Sequence, residues 1–425
     1  MATINAKAEW TVLGYLAGDN SLTGAAIDDI NEMEIAGSTK QVSIVVQVDR
    51  AADYNHNNDN WRGTRRYYVT KGADKKKITS KLLSDLGPTN TGDPRFIKDF
   101  LRETIKDYHG KRYFLILWNH GSGFYVPPEM LTGEGAPSSR EISMRAAPKL
   151  RRSFFHSSRE KILSLPPNTR GICYDDASND CLDNQELQRI LEYMQTLLGG
   201  VKVDVVGMDA CLMTMIEVAY QIRNQANILV GSEESEPGEG WPYDLILADL
   251  TAKPTMGGSD LAKSVVKRYI ESYDKGSPFN QDVTQAALDL NKLGDVTKAV
   301  DQLAGALMKK LPAPTTKGAI LTAWQKSTRF YENYYVDLHD FADNLSKNAN
   351  DATIVKACDT VKNAIIGKGF TSPIIAEGHL GQSMSSVHGL SIYMPPFKNP
   401  SDYYRELDFA KDTRWADFLD AFLKP

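Results

Sequence analysis

Short, continuous apolar runs recur along the first half of the chain and alternate with stretches of helical periodicity. Runs at 10–17, 42–48, 113–118, 203–208 and 228–231 are apolar at consecutive rather than alternate positions, as in strands covered on both faces. A shorter run at 171–174 reads the same way. Between them, 22–35, 94–108 and 184–199 read as helices, the last with Leu187, Ile190, Leu191 and Met194 on one face. The loop Gly18-Asp19-Asn20-Ser21 precedes the first helix, and Asp or Asn there is expected to cap its free N–H groups. Strands separated by helices predict the α/β class: a three-layer α/β/α arrangement around a mainly parallel sheet.

Two stretches depart from this pattern. Residues 54–63 are polar and read as a loop, and 124–170 lack sustained periodicity. A structureless stretch of that length inside a domain is functional or disordered. It carries Arg140, Arg145, Lys149, Arg151, Arg152, Arg159, Lys161 and Arg170. Beyond about residue 255 helical patterns dominate, at 259–275, 291–310, 314–327 and 352–366. Two further strands, 284–290 and 387–394, are expected to join or flank the sheet. The division expected is 1–254 as one domain and 255–425 as an α-rich C-terminal module.

The chain has 425 residues, 42% apolar and 24% charged, with a net charge of −5. That is ordinary for a soluble globular protein and gives no basic face for nucleic acid. No run reaches the ~18 apolar residues of a membrane span. The first residues lack a secretory leader, so the chain reads as cytoplasmic; loss of a leader from an exported protein would look identical. Cys173 and Cys181 either form a hairpin disulfide or are two reduced thiols, and no zinc-ligand spacing is present.

Chemistry concentrates where two apolar runs end. The run 113–118 leads into Asn119-His120-Gly121-Ser122-Gly123, and the run 203–208 into Asp209-Ala210-Cys211. Ligands gather at strand ends in open α/β sheets, and an imidazole with a thiol is the equipment for a cysteine nucleophile with its base. Cys211 precedes an apolar stretch, 212–222, expected as a helix whose N-terminal partial charge would favour thiolate. The N–H groups of Gly121 and Cys211 are candidates for an oxyanion hole. Taken alone, Cys211 could equally be a small buried residue and His120 a hydrogen-bonded structural one.

These residues resemble the clostripain family (peptidase family C11) within the caspase-like cysteine peptidases. The segments that carry the resemblance are Tyr15-Leu-Ala-Gly-Asp-Asn20, Leu117-Trp-Asn-His-Gly-Ser-Gly123, Gly207-Met-Asp-Ala-Cys211, Gly231-Ser-Glu-Glu-Ser-Glu-Pro-Gly-Glu-Gly-Trp241, Val336-Asp-Leu-His-Asp-Phe-Ala342 and Gly389-Leu-Ser-Ile-Tyr-Met-Pro395. The resemblance implies a cysteine endopeptidase with His120 as base and Cys211 as nucleophile. It implies that Asp209 binds a basic P1 side chain, so that peptide bonds after Arg, and less readily Lys, are cut. It implies self-cleavage into two associated pieces, with 124–170 as the segment rich in suitable sites. It also associates the chain with calcium, for which Asp175, Asp176, Asp180 and Asp183 form the acidic cluster.

The alternatives stay open at this point. Asp209 can instead cap the helix expected after Cys211. Glu233, Glu234 and Glu236 form a solvated acidic loop or line the pocket rim, with Glu233 taken as the substrate-facing member. Trp241 walls the pocket or sits in the core. The acidic cluster is a calcium site or a solvated turn, and the chemistry requires no cofactor. Peptides or proteins with Arg or Lys at P1 are the expected partners. Rival readings are a catalytically inactive caspase-like scaffold that binds peptides, and a related enzyme with another P1 preference.

Overall fold

The computed structural model describes residues 8–51, 61–72, 74, 77–124, 171–274, 281–330, 333–397 and 402–424. The expected self-cleaved segment therefore lies, beyond Phe124, outside the described residues, as does most of the expected loop at 54–63.

The runs read as strands become β1 (Ala8–Leu16), β2 (Val42–Arg50), β5 (Gly110–Trp118), β8 (Val203–Asp209) and β9 (Ala226–Gly231). They pair in parallel in the order β9-β8-β5-β1-β2. From Tyr113 to Trp118 every residue of β5 is buried, which explains its unbroken apolar run. Antiparallel strands finish both edges. β3 (Gly63–Tyr68) and β4 (Lys81–Gly87) lie beyond β2, while β10 (Val283–Asp289) and β13 (Ile374–Leu380) lie beyond β9. The strand expected at 284–290 thus extends the main sheet. That expected at 387–394 shrinks to β14 (Ser391–Tyr393), which pairs with β12 (Tyr335–Asp337) in a separate small sheet completed by β11 (Arg329–Phe330). β6 (Gly171–Asp175) and β7 (Asp180–Asp183) form a hairpin.

Helices α1 (Thr23–Ala36) and α2 (Pro94–Asp107) follow the first strands, and α3 (Asn184–Leu197) and α4 (Ile216–Ile222) flank β8. Next come α5 (Tyr243–Ala252) and α6 (Gly258–Tyr273). α1, α5 and α6 pack in succession, as do α2, α3 and α4, giving two helical layers around the sheet. α2 buries Ile97, Phe100, Leu101 and Ile105, and Asp93 accepts the Arg95 N–H at its start. α3 opens with a capping box between Asp183 and Glu186. α1 has no side-chain cap: Asn20 Oδ1 accepts the Leu22 N–H instead, 2.9 Å away, and the Asn20 amide donates to Ala17 and Tyr174 carbonyls.

The later helices are α7 (Leu293–Lys310), α8 (Pro314–Lys326), α9 (Leu338–Asn348), α10 (Ala352–Ile366), α11 (Asp402–Glu406), α12 (Asp408–Asp412) and α13 (Trp415–Leu423). One continuous apolar core runs from Trp10 through the sheet to Phe422. What matters for the site is that β2 lies on one side of β1 and β5 on the other. Chain direction across the sheet reverses there, and the strand ends beside that switch open a crevice.

Candidate active site

β5 and β8 are parallel neighbours, with Trp118 opposite Asp209. Asn119-His120 and Ala210-Cys211 therefore leave the sheet side by side. The Asn119 N–H donates to the Asp209 carbonyl at 3.2 Å. A Cβ on Gly121 would lie 2.4 Å from the Cys211 carbonyl oxygen, so only glycine lets the two tails run this close.

The His120 side is tightly stitched. The Asn119 amide donates to the carbonyls of Ala17 and Tyr174, and its Oδ1 accepts the Tyr174 N–H at 2.9 Å. One side chain thus ties the ends of β1, β5 and β6. Ser122 Oγ lies 2.7 Å from the Tyr174 hydroxyl. His120 is buried, and its Nε2 lies 3.3 Å from Ser21 Oγ in the loop before α1. Sequence reasoning passed over Ser21, Asn119 and Tyr174 as positioning residues. The signal was that Asn119 stands inside the segment Leu117–Gly123 and Ser21 inside the loop Gly18–Ser21, without a role assigned to either.

The Cys211 side differs from expectation. No helix starts at Leu212; α4 begins at Ile216, so the Cys211 sulfur gains no helix N-terminal charge. Leu212 instead turns the chain sharply with φ of 68°. Such left-handed backbone costs a non-glycine residue about 1–2 kcal/mol. The Leu212 N–H donates to the Glu234 carbonyl at 3.3 Å and that of Thr214 to Ser232 at 3.0 Å, which hold the turn. Cys211 Sγ is fully buried and accepts the Glu236 N–H at 3.2 Å. Burial, then the Glu236 carboxylate, push the thiol well above its usual range, and this outweighs the N–H bond that favours thiolate.

Asp209 is buried beneath this turn. Its Oδ2 accepts the Tyr243 hydroxyl at 2.7 Å and the Trp241 N–H at 3.4 Å. It therefore caps no helix. Trp241 is a core residue by its ring, which packs near Phe114 and Tyr243, yet its backbone N–H faces Asp209. The expectation for the acidic loop is corrected. Glu233 and Glu236 are both fully buried rather than solvated. Glu233 turns away: its Oε2 accepts the Gly389 N–H at 2.9 Å and its carboxyl meets Asp337. Glu236 is the member that reaches Asp209, to which its side chain is hydrogen-bonded.

The expected acidic cluster disperses. Asp183 caps α3, and Asp180 accepts from Asn90 at 2.7 Å. Asp175 instead meets Asp19 and Asp49, the three ligand atoms lying within 4.8 Å of one another. Asp175 is oriented by the Thr91 N–H and hydroxyl and by the Ser178 N–H. Asp49 Oδ2 is buried with no hydrogen-bond partner, and burial with Asp19 and Asp175 nearby pushes its carboxyl to about 8. Three converging hard oxygen ligands suit a cation such as calcium, Asp49 being held on its Oδ1 by the Arg50 N–H at 2.8 Å. Cys173 and Cys181 are buried thiols and not joined to each other, which excludes the hairpin disulfide.

The family model described as the clostripain family, Peptidase_C11, matches residues 14–131 and 159–422. Clostripain from Hathewaya histolytica is 24% identical over 94% of this chain and 77% of its own length. Two solved structures share the fold across nearly the whole of both chains. A secreted C11 cysteine protease from Bacteroides thetaiotaomicron superposes with a TM-score of 0.62 at 18% identity, over 97% of this chain and 99% of its own. An inactive zymogen C11 protease from Parabacteroides distasonis gives 0.57 at 18%, over 97% and 99%. No helix among the described residues is long and apolar enough to cross a membrane. From its sequence match and its caspase-like sheet alike, the chain belongs to the clostripain family and is a cysteine endopeptidase acting on peptide or protein substrates.

Proposed function

We propose that the protein cuts peptide bonds after Arg, and less readily Lys, with Cys211 as nucleophile and His120 as its proton partner. The observation that carries this reading is the pair of adjacent strand tails, β5 ending in His120 and β8 in Cys211, with the buried Asp209 two residues before the sulfur. His120 takes the thiol proton, and the sulfur attacks the carbonyl carbon after the basic residue. The N–H groups of Gly121 and Cys211 stabilise the oxyanion, a term worth roughly 3–4 kcal/mol per donor. His120 then protonates the leaving amine, and water activated by the same imidazole cleaves the thioester. No third residue is assigned to the pair. Asp209 offers a carboxylate in a dry setting, which favours a guanidinium over a neutral side chain.

The Cys211 sulfur is buried beneath the Glu236 N–H, and burial pushes the thiol well above its ordinary range, so the attacking thiolate is disfavoured in this arrangement. This supports activation by self-cleavage at a basic residue within 124–170. A structural relative that is an inactive zymogen accords with it. Calcium is the cation proposed for Asp19, Asp49 and Asp175. It supplies no step of the chemistry; it would steady the loop that carries Ser21 to His120.

The test is cleavage of fluorogenic peptides with P1 Arg, Lys, Asp, Asn and Leu by the intact protein and by Cys211→Ala, with and without calcium. Activity after Arg or Lys that vanishes in Cys211→Ala, together with loss of chain nicking, is expected. Cleavage of none of the peptides, even by protein nicked within 124–170, would replace this reading with a peptide-binding scaffold.

A further inference from the structure

Asp209 is the middle member of a row of buried carboxyls. Glu236 hydrogen-bonds it from the loop after β9, and Asp29 of α1 lies close enough for the two carboxyls to raise each other's cost of ionising. The three are 4%, 1% and 0% exposed in the order Asp29, Asp209, Glu236, so solvent neutralises none of them. The Trp118 and Trp241 indoles face Asp29 and Glu236, and Glu236 faces Asp209, yet Asp29 Oδ2, Asp209 Oδ1 and Glu236 Oε2 each lack a donor at full hydrogen-bond geometry. Buried acceptors without donors are costly and call for a ligand or a proton.

The groups around the row supply no cation. Asp28 and Glu32 face Asp29 from its own helix. Tyr243 and Trp241 donate to Asp209, and Gln285 donates to Glu236 Oε1 at 3.4 Å. Tyr269, Tyr273 and Cys211 also face Glu236, and Glu239 adds a further acid nearby. All are acidic or neutral. Among the described residues only Asp19, Asp49 and Asp175 bring three such ligand atoms within 4.8 Å of one another. The row is therefore more extended than a single-ion site. A planar guanidinium, with five N–H donors in a fixed fork, matches an extended set of acceptors better than a compact ammonium does.

We propose that Asp29 and Glu236 join Asp209 in seating the cationic P1 side chain, the row holding a guanidinium when occupied and protons when empty. This rests on the reading of Asp209 as the P1 partner. Three like charges packed together cannot all ionise in a dry site, and burial raises each carboxyl above its ordinary range. An arriving guanidinium brings the missing positive charge, and the protons leave to solvent as it binds. Affinity for a cationic side chain then rises with pH, while affinity for a neutral isostere such as citrulline does not. The loop 232–241 must shift for entry, which couples occupation of the seat to release of Cys211 from the Glu236 N–H.

The experiment uses the active enzyme, with peptides carrying P1 Arg, Lys or citrulline, and compares wild type with Asp29→Asn, Glu236→Gln and Asp209→Asn. Asp29→Asn and Glu236→Gln are each expected to raise KM for the Arg peptide about tenfold, more than they lower kcat, and to narrow the Arg-over-Lys ratio. Calorimetric titration of wild type with benzamidine, in buffers of different ionisation heat, is expected to show release of about one proton at pH 7. Thermal melts identify a variant that fails to fold, and the proton count needs no variant. Equal heats in the buffers, or an unchanged KM and ratio in both variants while Asp209→Asn loses Arg cleavage, would overturn the row but keep Asp209. Wild type cleaving only after residues other than Arg or Lys would overturn the underlying reading.

Discussion

Two groups of three carboxyls lie close to the His120 and Cys211 tails, and they differ in shape rather than in charge. Asp19, Asp49 and Asp175 converge from the ends of β1, β2 and β6 onto one point. Asp29, Asp209 and Glu236 come from a helix, a strand end and a loop, and form a row. Backbone and hydroxyl donors already hold Asp175, as they would a metal ligand. The row's donors are neutral throughout, Tyr243 and Trp241 at its centre, Gln285 at Glu236 and the Trp118 indole at Asp29, leaving an oxygen on each member without a well-placed donor. Equal charge therefore selects different cations: a point ion for the converging group, a planar fork for the row. Each also touches one tail, the first through Ser21 beside His120 and the second through the Glu236 N–H on Cys211.

The sharpest way to break this contrast is Asp209→Asn. It is expected to lower kcat/KM on P1-Arg peptides by ~10³ or more, because the site's buried acceptors lose their charge. The calcium response of the melting temperature should be untouched; its loss would merge the two groups into one. Next comes Asp49→Asn. Wild type should melt a few degrees higher in calcium than in chelator, and the variant should melt alike in both, as read by scanning calorimetry. Retained Arg preference in that variant would sharpen the separation. Ser21→Ala should lower kcat about threefold with little change in KM, since it supports the imidazole without touching the substrate.

The smallest expected effect is on pH-dependent stability. Burial, then Asp244, push the Glu32 carboxyl beside the row to about 7. Between the ordinary glutamate value and 7 the folded chain keeps a proton that the unfolded chain has lost. That contribution is therefore complete at low pH and is lost as pH rises through 7. Glu32→Gln should flatten the fall in melting temperature between pH 5 and 8, and an unchanged slope would remove Glu32 from the account.

The parallel core of the sheet was legible because strands buried on both faces need unbroken apolar runs, as 113–118 and 203–208 show. The antiparallel flank was not: β3 buries polar and aromatic residues such as Thr64, Arg66 and Tyr67, and the edge strand β4 has no buried residue, so neither carries an unbroken apolar run. The helix expected after Cys211 failed for a local reason. Leu212 to Met215 are apolar enough for a helix, but the chain there takes a left-handed turn pinned by Glu234 and Ser232. Such pinning partners are distant in sequence and leave no periodic trace.

By itself the sequence determined the class of fold, the family resemblance and the two strand ends that carry an imidazole and a thiol. Local apolar pattern and short motifs suffice for those. Only the tertiary structure decided which acids meet. Glu236 rather than Glu233 reaches Asp209, Asp29 arrives from a helix 180 residues earlier, and Asp175 leaves its sequence neighbours for Asp19 and Asp49. The physical reason is that a carboxyl's partner is set by the packing of whole elements, and three buried acids can share a site only where that packing holds them together and a cation or protons neutralise them.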